Sequence, residues 1–79
     1  MSQASGEARL KVVECKDGTV EIVGNREGLR FLASICTGLS ELSDDQAKTA
    51  ANHYHFSEDF GNLEQGSDKE LILLYKPNL

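Results

Sequence analysis

The chain has 79 residues with a formal net charge of −5, which is room for one domain and one small core. Thirteen acidic residues against eight basic ones argue against nucleic acid and anionic membranes, whose binding rests on neutralising phosphates with Lys and Arg. The same acidity suits a basic protein partner or a merely soluble surface. With 39% hydrophobic and 27% charged residues the composition is that of a folded domain, and the absence of Trp leaves little aromatic surface for stacking bases. Two cysteines make no disulfide framework. No secretory leader pattern and no apolar run of about 20 residues is present, so a cytoplasmic protein is expected.

In chain order, residues 1–7 are small and polar and read as a flexible tail, with a single domain over 8–79. Leu10 to Cys15 and Thr19 to Val23 flank Lys16-Asp17-Gly18, a hairpin signal in which a two-residue turn needs positive φ at both central positions. With Asp17 and Gly18 as those two, Cys15 faces Val20 and Val13 faces Ile22. These four then form one apolar surface, while Glu14 lies across from Glu21 in a mildly repulsive pair. Asn25 is a good N-cap, and the apolar spacing of Leu29, Leu32, Ala33, Cys36 and Leu39, widened by Phe31, Ile35 and Leu42, predicts a helix from about Arg26 to Leu42. Gly38 inside it costs roughly 1 kcal/mol relative to Ala, unless it admits close packing.

Residues 43–52 are ambiguous, either a short helical turn capped by Ser43 or Asp44 or a surface connection. His53 to Phe56 alternates as a strand. The stretch from Ser57 to Lys69 reads as a polar loop with Phe60 and Leu63 tucked inward, and Leu71 to Tyr75 is the strongest strand, ended by Pro77. The expected fold is a small α+β domain of order ββαββ, with one main helix packed on a four-stranded, mostly antiparallel sheet.

Four constellations bear on chemistry. His53 and His55 project to one face of a strand, close enough to share a metal ion, but two ligands do not make a site, so no metal and no cofactor are expected. Cys15 and Cys36 fall on apolar faces as small hydrophobes, and a Cys36–His55 nucleophile pair has no third group to support it. Gly24 to Gly28 follows a strand and opens a helix, yet lacks the spacing of a phosphate-binding loop. Glu58, Asp59, Glu64 and Asp68 make the long loop acidic, a solvated surface or a docking face for a basic partner.

A series of landmarks carries a family resemblance: a strand ending in Val23-Gly24-Asn25, a helix opening Glu27-Gly28-Leu29 and running through Leu32-Ala33, the His53-Tyr54-His55-Phe56 strand, the turn from Leu63 to Ser67, and the apolar strand from Glu70 to Tyr75. From about Val20 to Tyr75 the chain resembles the immunity proteins of bacterial polymorphic toxin systems, in particular the immunity protein thirty-two family. The resemblance implies an α+β fold, no catalytic residues, and the binding and neutralisation of a toxin protein. On that reading the partner-binding residues are Glu58, Asp59, Glu64 and Asp68, joined by Glu14 and Glu21 and by His53 and His55. The competing reading is a small metal- or ligand-binding accessory domain built on His53 and His55. Oligomeric state is not set by anything in the sequence.

Overall fold

The hairpin turn decides the packing of the N-terminal half. In the computed structural model, which describes residues 7–79, β1 (Leu10–Glu14) pairs antiparallel with β2 (Val20–Gly24) through a loop in which Gly18 takes φ 90°. No other residue type among those described has positive φ, so Asp17 is not the first half of a two-residue primed turn. The Gly18 N–H instead donates to the Cys15 carbonyl at 3.0 Å, and the Cys15 N–H donates to the Thr19 carbonyl at 2.7 Å. The loop therefore has three residues with glycine in the left-handed position, and the Asp17 carboxylate accepts from both the Thr19 N–H and its hydroxyl. Those bonds, the hydroxyl first, hold the Asp17 carboxyl below its ordinary range.

That third loop residue shifts the register by one from the expected one. Val12 faces Ile22, Val13 faces Glu21 and Glu14 faces Val20. Leu10 and Val12, not Val13 and Cys15, become the buried face, and Glu14 and Glu21 lie on opposite faces of the hairpin, so the expected repulsive pair does not form.

Helix α1 (Arg26–Ser40) starts where Asn25 caps it, ending two residues before the expected limit. The Asn25 side-chain oxygen accepts from the Gly28 N–H at 2.8 Å and from the Arg9 N–H at 3.0 Å, while its amide donates to the Glu7 carbonyl. One side chain thus ties the entry of β1 to the first turn of α1. Glu7 is the only residue of the expected tail within the described range, and the rest of that expectation lies outside it.

The helix meets the core with Phe31 and Ile35, flanked by Leu32 and Leu39. Leu29, Ala33 and Cys36, expected on the buried stripe, are exposed. Phe31 packs edge-on against Tyr54 and Phe56, with ring centroids 6.2 and 5.9 Å apart. These aromatics come from β3 (His53–Phe56), which pairs antiparallel with β4 (Leu71–Leu74). Residues 43–52 resolve into two single 3-10 turns, Gln46–Lys48 and Ala50–Asn52, the first opened by reciprocal bonds between Ser43 and Gln46.

The α+β class and the ββαββ order are as expected, with the four strands divided into two antiparallel pairs. What joins the pairs is the long loop. Its Glu64 and Asp68 N–H groups donate to the carbonyls of Leu10 and Val12 at 2.7 Å each, the Ser67 hydroxyl accepts from the Val12 N–H, and the Asp68 carboxylate accepts from the Glu14 N–H. The outer edge of β1 is therefore covered by irregular chain. Leu63 on that loop is buried with Leu10, Val12, Phe31, Ile35 and Phe56, the core shared by both ladders. Phe60, expected inside, is two-thirds exposed.

Candidate functional site

The second ladder separates its side chains by alternation. Tyr54, Phe56, Leu71 and Leu73 pack inward, so His53, His55, Ile72 and Leu74 point out together, His53 opposite Leu74 and His55 opposite Ile72. The two imidazoles stand 4.9 Å apart centroid to centroid, and His55 meets the edge of Phe60 at 6.1 Å. The Phe60 turn is held against β3 by Asn62, whose side chain accepts from the Ser57 N–H at 2.8 Å and donates to the His55 carbonyl at 3.1 Å. Phe60, Ile72 and Leu74 are 67%, 54% and 49% exposed. The result is an apolar and aromatic surface centred on the two histidines. Ile72, Leu74 and Phe60 were not foreseen as part of it, although the strict inward and outward alternation of a strand pair was signal enough for Ile72 and Leu74.

Next to Phe60 in the chain come the acidic residues. Glu58, Asp59, Asp68 and Glu70, with Lys69, line a surface depression of about 300 Å³. Glu58 and Asp59 are exposed and form no ion pair with any described residue. Glu64 and Asp68 have structural duties. Glu64 bonds the Arg9 guanidinium at 2.9 Å, and Asp68 caps the Glu14 N–H at 2.8 Å. Glu14 in turn lies 3.7 Å from Lys69, and Glu21 stands on the other face of the first hairpin. Of the eight residues singled out in the sequence, His53 and His55 stack together with His55 against Phe60, Glu58 and Asp59 share the depression with Asp68, and Glu64, Asp68 and Glu14 knit the long loop to β1.

Among the described residues no three His, Cys, Asp or Glu side chains converge as metal ligands do. Cys36 is exposed and Cys15 half-buried, and the turn from Gly24 to Gly28 is occupied by the Asn25 cap and by close packing against Arg9. No described helix is long and apolar enough to cross a membrane.

The chain is thus a small α+β domain with exposed aromatic and aliphatic side chains on the outer face of its second strand pair. The sequence model of the family described as Immunity protein 32 matches residues 19–76, and the chain belongs to that family. Comparisons with curated proteins and with solved structures returned no match.

Proposed function

We propose that this chain is a non-enzymatic immunity protein of the cytoplasm that neutralises a bacterial toxin by direct binding, and that it docks through the outer face of β3 and β4. The observation that carries this reading is the surface of His53, His55, Phe60, Ile72 and Leu74, with Glu58 and Asp59, exposed and without an ion pair among the described residues, just before Phe60 in the chain. Interfaces concentrate their energy in a few desolvated aromatic and aliphatic anchors, and charged rims select the partner and speed encounter. Phe60 is the natural anchor, since its ring is mostly solvent-exposed while its backbone is fixed through Ser57 and Asn62. The acidic margin calls for a basic contact surface on the toxin. Family membership supports a protein partner, and the face supports where that partner sits.

The test is a titration of the partner protein captured by this chain from its native host against Phe60→Ala and Ile72→Ser. Each variant is expected to lose about 2 kcal/mol or more of binding, the level of a hot spot, because each removes an apolar anchor. Circular dichroism and thermal unfolding should stay close to wild type, since both side chains are exposed. Full affinity in both variants would remove this face from the proposal.

A further inference from the structure

Among the described residues the first ladder has one uncovered edge, and its bonding pattern says what fits there. The Cys15 N–H donates to Thr19 and the Asn25 N–H to Arg9, so with Val12 opposite Ile22 the pairs bonded within the ladder are the odd-numbered ones. The groups turned outward belong to Leu10, Val12 and Glu14 on β1 and to Val20, Ile22 and Gly24 on β2. The long loop takes the Leu10 and Val12 carbonyls and the Val12 and Glu14 N–H groups of β1. Those of β2 have no partner among the described residues. The usual guards of a sheet edge, a proline, a lysine or a bulge, are missing from Val20–Gly24, and Glu21 is its only charge. Val20 and Ile22 lie on the same side of the ladder as Leu10 and Val12 but are 51% and 41% exposed, with Leu29 of α1, also exposed, packed near Gly24.

We infer that β2 is a homodimerisation edge, pairing antiparallel with β2 of a second copy about a two-fold axis at Ile22. The strand is self-complementary in this one register. Ile22 opposes Ile22, Val20 opposes Gly24, and all three outward-turned residues of each copy bond to the other. Glu21 then faces Val23 of the second copy. Sliding by two residues one way sets Glu21 against Glu21, which like charges disfavour, and sliding the other way runs the strand into Asn25 and the start of α1. In the inferred register the Val20 and Ile22 side chains of the two copies adjoin on one face, and the two hairpins become a four-stranded sheet with no bare edge in the middle.

The test uses the full chain. Sedimentation velocity up to about 1 mM should show a monomer–dimer equilibrium, and Ile22→Lys, which sets two ammonium groups across the axis, should weaken it at least ~10-fold. A second measurement covers the case in which that variant folds poorly. With Cys15 and Cys36 replaced by Ser, Ile22→Cys should oxidise to a covalent dimer, because directly opposed residues of a bonded pair sit about 5.5 Å apart, within disulfide range. Val20→Cys should not, since its counterpart is displaced four residues along the strand, about 13 Å away. A chain that stays monomeric throughout overturns the inference, and so does a dimer that Ile22→Lys leaves intact or that Val20→Cys traps as readily as Ile22→Cys.

Discussion

Two glycines of the same helix have opposite structural duties, which makes them a matched pair for experiment. A Cβ on Gly28 would collide with the Arg9 carbonyl oxygen and stand 2.7 Å from its carbonyl carbon, both backbone atoms anchored by Asn25. Neither can step aside without releasing the cap. Gly38 has nothing within 4 Å of the same position, so the close packing that would have justified it is absent. Gly38→Ala is therefore expected to stabilise the protein by up to about 1 kcal/mol, the ordinary helix-propensity difference. Gly28→Ala, with the same intrinsic gain, should destabilise it by about 1–3 kcal/mol or more, as overpacking does. Urea unfolding of the two variants beside wild type decides it, and equal effects would mean that the helix does not press on Arg9. The N-cap role of Asn25 was legible in the sequence. Its second role, accepting from the Arg9 N–H, was not, because it joins residues far apart in the chain with no local pattern to announce the contact.

At the scale of elements, hairpin, helix and both C-terminal strands were visible in the sequence while the faces they bury were partly misread. The apolar residues of β1 include Leu10, Val12 and Val13, so either register of the hairpin puts an apolar pair inside, and only the length of the turn distinguishes them. In α1 the apolar residues from Leu29 to Leu39 cover more than half the circumference, and the aromatic cluster of β3 selects Phe31 and Ile35 from them. The division of the sheet was hidden for another reason. The loop bonds β1 through its backbone and through Ser67 and Asp68, polar chemistry without hydrophobic periodicity. The corrected stripe has a direct consequence. Ile35→Ala should cost about 2–5 kcal/mol, the range for a buried aliphatic side chain, and Leu32→Ala less, because Leu32 only borders the core. Chemical denaturation of both variants checks the order, and a larger loss at Leu32 would contradict the observed orientation of α1.

For the whole molecule the deciding quantity is the charge of −5 and where it sits. The three ion pairs of the described residues join Arg9 to Glu64, Arg30 to Glu27 and Lys69 to Glu14, all at the surface, where such pairs contribute little to stability. They consume basic groups and leave Glu58 and Asp59 uncompensated beside Phe60. The two proposed associations should consequently respond to salt in opposite directions. Encounter with a basic toxin is steered by attraction, so raising ionic strength from about 0.01 M to 1 M, which shortens the screening length from about 30 to 3 Å, should slow association without a comparable change in dissociation. Replacing Glu58 by Gln and Asp59 by Asn together should reduce both the rate at low salt and its salt sensitivity, with the unfolding transition unmoved. Pairing of β2 with β2 brings two acidic copies together and sets the two Glu21 positions on a diagonal, their backbones about 7–8 Å apart, a range over which screening relieves repulsion. Dimerisation should therefore tighten as salt rises. Stopped-flow association with the toxin and sedimentation of the chain alone, over the same salt series, measure the two effects separately. Toxin association that ignores both salt and the Glu58 and Asp59 substitutions would take the acidic margin out of recognition and leave the apolar face to act alone. A dimer that weakens with salt would be held by charge, which the β2 edge, with Glu21 as its single ionised group, cannot supply.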